Sequence, residues 1–278
     1  MKKNLKILFT GGKGFIGREI IPLFRKDGYE VVDPSSKELN LLDSDAVKKF
    51  IENDNFDIII HAAMCSGTGR YGKPDGLDVL YKNMRMFENV FRYVNEVDKF
   101  VNFDSGASLF NKSQIPESAY GFSKYCIARS VHKEVNGINI RMYGCFGPKE
   151  DLSRFLAVNI RNYIKREPIR IFKNRQMDFM YVKDVYDNIK YAINNDVEDI
   201  NCVYRDKYCL TDIADIINTL DSYKVDVIIE NEGMDPPYCG DITWKWCQYT
   251  DLPVELDYIG LEKCINECYE NYLRLWYI

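Results

Sequence analysis

Apolar runs and helical periodicities alternate along the first half of the chain. Leu5-Lys6-Ile7-Leu8-Phe9 is short and apolar, which predicts a buried strand. Ile16, Ile20, Leu23 and Phe24 then recur at helical spacing. Pro22 predicts a kink or a looser turn in that helix, and Gly28 closes it. Glu30-Val31-Val32-Asp33 reads as a second strand and Leu39-Asn40-Leu41-Leu42 as a short third one. Asp43 or Ser44 caps the next helix, whose apolar face is Ala46, Val47, Phe50 and Ile51. Asp57-Ile58-Ile59-Ile60-His61 is a continuous apolar strand of the kind buried on both faces of a parallel sheet. Residues 65–77 read as an irregular Gly-rich loop, followed by a helix from about Asp78 to Asn95. Lys99–Phe103 and Ile138–Met142 give two further strands, with a helix opening at Glu117–Lys124 between them. This alternation through residue 148 predicts an α/β fold built on a doubly wound parallel sheet.

Past residue 148 the rhythm loosens. Helices are expected at Phe155–Lys165, Val182–Asn194, Thr211–Leu220 and Leu261 to about Leu273, with a strand at Ile169–Phe172. Glu232-Gly233-Met234-Asp235-Pro236-Pro237 reads as a surface loop. The expected organisation is residues 1–150 as a nucleotide-binding domain and 151–278 as a smaller α/β lobe, with the chain returning to the first domain near 178–195.

The glycines of Thr10-Gly11-Gly12-Lys13-Gly14-Phe15-Ile16-Gly17 fall where the first strand turns into the first helix. There a pyrophosphate can lie against backbone N–H groups and the positive end of the helix dipole. Gly11 permits the turn, Gly14 lets the backbone approach a ligand, and Gly17 lets helix and strand pack closely. The spacing is three residues rather than the strict dinucleotide fingerprint. At the end of the second strand Asp33 suits the ribose hydroxyls of NAD. Ser35, Ser36, Lys37 and Lys13 suit the extra phosphate of NADP, and the balance leans to NADP. Small residues in His61-Ala62-Ala63 leave room for the cofactor, and His61 reads as a satisfied strand-end histidine.

Tyr120 and Lys124 are four apart, on one face of a helix. A lysine cation favours the phenolate, so the tyrosine can exchange a proton with a substrate oxygen while hydride moves. Ser105, at the end of the preceding strand, can donate a hydrogen bond to the same oxygen. Tyr186 and Lys190 repeat the spacing in a chain of twenty tyrosines, so order in the chain, not the pair alone, singles out Tyr120 and Lys124. Asn83 either orients backbone groups or faces water, and spacing leaves both open.

Composition adds exclusions. A net charge of -5 gives no support for nucleic-acid or membrane-surface binding. No long apolar run predicts a signal peptide or a membrane span. Nine cysteines without a Cys-x-x-Cys, beside two histidines, predict reduced thiols in a cytoplasmic protein and no metal site.

The motifs Thr10–Gly17, Leu39–Asp43, His61–Ala63, Ser105, Tyr120 with Lys124, Arg141–Pro148 and Asp178–Asp184 together resemble the extended short-chain dehydrogenase/reductase family, the nucleotide-sugar epimerases, dehydratases and ketoreductases. The resemblance covers residues 5 to about 195 well. It implies a Rossmann-type domain for NAD(P), a C-terminal lobe for a nucleotide-diphosphate sugar, and a homodimer. The region Ser36–Asp43 is most similar to the NADPH-using GDP-fucose synthase and dTDP-4-dehydrorhamnose reductase branches, the first of which carries a cofactor-contacting arginine at the position of Lys13. Catalysis would fall to Ser105, Tyr120 and Lys124, with Tyr120 and Lys124 also contacting the cofactor and Lys124 holding its ribose, and substrate contacts to Tyr143 and Arg175. Met177 stands where the family usually has an arginine.

The departures narrow the reaction. Family dehydratases follow the serine or threonine with an Asp-Glu pair; here Gly106 and Ala107 follow. The double epimerase-reductases need a cysteine where this chain has Ala107, and a histidine beyond the Gly-Pro loop; none follows His132. Cys145 reads as a small buried residue rather than an acid. What remains is reduction of a 4-keto sugar, with C4 epimerisation on tightly held NAD as the alternative and a non-catalytic NAD(P) sensor as the third reading.

Overall fold

The computed structural model describes residues 5–65, 76–109, 115–197, 199–240 and 260–276. Most of the Gly-rich stretch 65–77 lies outside the described residues. The chain forms two compact units: one holds the chain up to Met142 together with Tyr186–Asn201, the other holds Tyr143–Val185, residues 202–240 and the last helix.

The first unit is a six-stranded sheet of β1 (Lys6–Thr10), β2 (Glu30–Val32), β3 (Ile58–His61), β4 (Lys99–Ser105), β5 (Gly137–Met142) and β9 (Ile200–Cys202). Their order across the sheet is β2-β1-β3-β4-β5-β9, and the pairs from β2 to β5 are parallel. The helices α1 (Phe15–Lys26), α2 (Ser44–Glu52), α3 (Leu77–Phe91) and α4 (Ala119–Val131) fall between successive strands. The direction of winding reverses between β1 and β3, which makes the carboxyl ends of those strands the natural ligand crevice of this Rossmann-like fold. Thr10 and His61 are register partners there.

The local reasons are visible. Ile7, Leu8, Phe9, Ile59 and Ile60 have no solvent exposure, as a sheet covered on both faces requires. Asp43 caps α2 by accepting from the Asp45 and Ala46 N–H groups. α1 runs unbroken through Pro22, so the proline costs one helical donor without ending the helix.

Three expectations are corrected. Leu39–Leu42 is irregular and ends in a turn at Leu41 and Leu42, not a strand. Leu39 and Leu41 are buried in the core alternately, as in a strand, but the Leu41 carbonyl accepts from the Asn89 side chain instead of a neighbouring strand. The third helix stops at Phe91 and is followed by a separate 3-10 turn at Val94–Glu96. Glu232–Met234 is the end of a strand rather than a loop.

That strand belongs to the second unit, which contains β6 (Cys145–Phe146), β7 (Ile169–Asn174), β8 (Met180–Tyr181) and β10 (Val227–Met234). β6 pairs with β8 and β10 with β7, both parallel. Around them stand α5 (Phe155–Ile164), α7 (Leu210–Ile217) and α8 (Leu261–Trp276). α6 (Val182–Asn194) begins in this unit and carries the chain back into the first at Tyr186.

Candidate active site

The glycine turn after β1 is built for close approach. Gly11 has φ +75°, and a Cβ there would lie 2.6 Å from the Ala63 nitrogen. A Cβ on Gly17 would collide with the Gly12 backbone, so only glycine lets α1 pack against the turn. Gly14 is the N-cap of α1 and supplies no capping side chain. The first N–H groups of α1 are thus left without a side-chain acceptor, as an anion-binding helix terminus needs. Gly12, Phe15 and Ile16 complete the turn, with Gly12 buried and the other two half-buried.

Asp33, just past β2, is held by two cations. Lys13 Nζ lies 2.7 Å from Oδ2 and Arg25 Nη2 lies 2.6 Å from Oδ1. Burial pushes the Asp33 carboxyl up, but the hydrogen bonds from Lys13 and Arg25 outweigh it and hold it below its usual range. Arg25 escaped the sequence reading because a cation in the last helical turn is expected on dipole grounds alone. Ser35 is half-buried and its N–H donates to Glu38, while Ser36 and Lys37 are exposed.

At the end of β3, His61 Nδ1 is 2.9 Å from Thr10 Oγ1. Burial, helped by the Lys124 charge, pushes the imidazole down to about 3, so it is neutral near pH 7. That fits the satisfied strand-end histidine. Ala62 and Ala63 follow, half-buried, then Met64, whose sulfur accepts from the Tyr120 hydroxyl at 3.8 Å.

Ser118 caps α4 by accepting from the Gly121 N–H, which sets the first turn where Tyr120 stands. Both Tyr120 and Lys124 are buried. Lys124 Nζ donates to the Phe103 carbonyl at 2.5 Å, two residues before Ser105. Burial pushes this amine down to about 8, with the Asp104 carboxylate acting the other way. Ser105 ends β4, and its hydroxyl accepts from the Ala107 N–H at 3.2 Å. Ser105, Tyr120 and Lys124 therefore stand on two elements joined directly by the Lys124 hydrogen bond.

Asn83, left open by the sequence, is buried and orients backbone. It accepts from the Cys65 N–H at 2.6 Å, donates to the Cys65 carbonyl at 3.2 Å and to Ser123 Oγ at 3.1 Å. Ser123 in turn donates to the Tyr120 carbonyl at 2.7 Å. One amide thus fixes both the segment after Met64 and the turn that carries Tyr120.

The look-alike pair does something else. Tyr186 donates to Asp27 at 2.7 Å and Lys190 pairs with the same carboxylate, so together they clamp the end of α1.

Tyr143 and Arg175 belong to the second unit. Tyr143 packs edge-on against Tyr238. Arg175 donates to the Pro236 carbonyl from Nε at 3.2 Å and Nη2 at 2.7 Å, and lies over the Tyr238 ring. Met177, in place of the arginine, leaves the neighbouring Asp178 carboxylate to Lys207 and the Gly240 N–H. Cys145 is buried in β6.

The NAD dependent epimerase/dehydratase family matches residues 7–205, and the chain belongs to it. A GDP-L-colitose synthase from Yersinia pseudotuberculosis is 25% identical over 256 residues, 79% of this chain and 83% of its own. A GDP-L-fucose synthase from Azorhizobium caulinodans is 33% identical over 107 residues, 38% of this chain and 34% of its own. A solved structure of a GDP-mannoheptose C4 reductase from Campylobacter jejuni with NADP bound shares the fold, with TM-score 0.78 at 19% identity over 98% of this chain and 99% of that one. The protein is an NAD(P)-dependent enzyme of the extended short-chain dehydrogenase/reductase type, in a family that modifies nucleotide sugars. Among the described residues no helix is long and apolar enough to cross a membrane.

Proposed function

We propose that this protein is a nucleotide-sugar 4-ketoreductase that prefers NADPH. The observation that carries this reading is the β4 end. Ser105 is followed by Gly106 and Ala107, and Tyr120 and Lys124 are buried on the adjoining α4. No side chain at 106 or 107 can protonate a leaving hydroxyl or remove a ring proton, so elimination lacks its acid and base.

The turn Gly11–Gly17, Asp33, Ser35, Ser36 and His61–Ala63 would hold the dinucleotide, which when reduced supplies hydride. Tyr120 gives its phenolic proton to the C4 oxygen. Ser105 donates a hydrogen bond to that oxygen and stabilises the charge developing there. The Lys124 ammonium favours the phenolate that remains. Tyr143 and Arg175 bind the nucleotide diphosphate. The cation pair on Asp33 supports NADPH: Lys13 and Arg25 against one carboxylate leave a net positive charge where the extra phosphate would come.

The protein acts in the cytoplasm, in keeping with described cysteines that are all free thiols. It works as a homodimer through α3, whose Leu77 and Tyr81 are 81% and 63% exposed beside Arg85 and Glu88. Tyr81→Glu would shift the mass in light scattering from dimer to monomer.

The deciding experiment incubates nucleotide 4-keto sugars and, in parallel, nucleotide 4-hydroxy sugars with NADPH carrying deuterium at nicotinamide C4. Stoichiometric oxidation with deuterium at sugar C4 is expected. Interconversion of 4-hydroxy sugars with no net NADPH consumption means a C4 epimerase instead. Cofactor binding without turnover of any sugar means a sensor.

A further inference from the structure

The residue just before Ser105 is an aspartate sealed inside the protein. Asp104 has no side-chain exposure, and its register partner on β5 is Arg141, whose side chain is 2% exposed. Arg141 Nε lies 2.6 Å from Asp104 Oδ2. Ser108, in the turn Gly106–Leu109 that follows Ser105, has its hydroxyl 3.0 Å from the same Oδ2 and 2.8 Å from the Ser105 carbonyl oxygen. The peptide on the other side of Asp104 is the one whose carbonyl receives Lys124.

A buried ion pair is not a stability device by default, because removing two charges from water offsets their attraction. An apolar pair would fill this position at less electrostatic cost, so its position beside the Ser105 turn calls for a reason. The charges nearby supply one. Lys124 is a second buried cation, and its ammonium bonds the Phe103 carbonyl, in the peptide that adjoins Asp104. Of the other groups, His61 on β3 is neutral, Tyr120 stands one turn before Lys124 on α4, Arg141 and Ser108 bond to Asp104 itself, and the uncharged Asn83 of α3 bonds to Ser123. Asp199, before β9, bonds to Asn139 of β5 and is itself pushed upward by burial and by Asp104. Asp104 thus adjoins the peptide that holds the ammonium, and its charge opposes the ammonium's desolvation.

We infer that Asp104, clamped by Arg141 and Ser108, is a positioning residue: it is the counter-charge that retains the Lys124 ammonium in the buried site and the anchor of the turn that presents Ser105. The inference rests on the proposed roles of Ser105, Tyr120 and Lys124. Asp104 touches no reacting atom and acts through Lys124 and the turn.

The test reads the charge on Lys124 without requiring a sugar substrate. The full chain is labelled with ε-carbon-13 lysine, the Lys124 signal is assigned with Lys124→Met, and the signal is titrated by NMR. In Asp104→Asn the midpoint should fall by at least about one pH unit, a tenfold loss of proton affinity and the low end of what a neighbouring charge does. That variant leaves Arg141 buried without its anion, so Asp104→Asn/Arg141→Gln is measured beside it and should move the same way by less. An unchanged midpoint in a folded variant overturns the inference. So does failure of both variants to fold, which would make the pair purely structural. If the variants shift as expected while the unsubstituted protein turns over no sugar, the charge relationship stands and the proposed activity is what fails.

Discussion

The ammonium of Lys124 lies 2.5 Å from the carbonyl oxygen of Phe103, so the helix that carries Tyr120 is hydrogen-bonded to the strand that ends in Ser105. Burial brings this amine down to about 8, and it is charged only below that value. If the charge is needed, kcat/KM should be level from pH 6 to 7.5 and fall above about pH 8. A profile level to pH 10 would sever Lys124 from the chemistry.

Tyr120→Phe removes the proton donor, and with it the hydroxyl's bond to the Met64 sulfur. Turnover should drop by about a hundredfold to ten-thousandfold, the usual worth of a positioned acid. Cofactor affinity, read by fluorescence titration, should stay within about twofold. Retained activity would move the proton donor elsewhere.

His61 gives the fold an acid limit. Burial holds its folded value near 3, below the ordinary 6.5. Between those values the unfolded chain binds a proton that the folded chain refuses, so stability is lost as pH falls below 6.5. Urea midpoints at pH 7.5, 5.5 and 4.5 should decline less steeply in His61→Gln than in the unsubstituted protein. Parallel declines would mean that other groups set the limit.

Lys13 and Arg25 should decide between the cofactors. Each alanine substitution is expected to weaken NADPH binding about tenfold, in line with one lost charge-assisted hydrogen bond. NADH binding should change little or improve as Asp33 is freed from a cation. Equal losses for both cofactors would leave these cations no part in selection.

Gly17→Ala forces a methyl group into the Gly12 backbone. Overpacking of this kind costs about 1–3 kcal/mol. The thermal midpoint should fall and dinucleotide binding should weaken, because α1 must move away from the turn. An unshifted midpoint would show that the helix has room to spare.

Periodicity by itself carried the alternation of strand and helix, the glycine turn after β1 and the order of Ser105, Tyr120 and Lys124. These are local features: a strand buried on both faces needs a continuous apolar run, and a helix face needs residues four apart. Tertiary structure decided the rest. Leu39 and Leu41 alternate like a strand, yet the Leu39 N–H donates to the Ser35 carbonyl and the Leu41 carbonyl accepts from the Asn89 side chain, and only three-dimensional neighbours distinguish this from a strand. β10 became a strand because β7 lies beside it, although its own side chains are exposed. Tyr120 with Lys124 and Tyr186 with Lys190 have identical spacing. They separate because one lysine finds a strand carbonyl and the other an aspartate more than a hundred and fifty residues away in sequence. Ion pairs and buried amides join positions that folding brings together, so Arg25 with Asp33, Asn83 with Cys65 and Asp104 with Arg141 leave no mark on the spacing of residues along the chain.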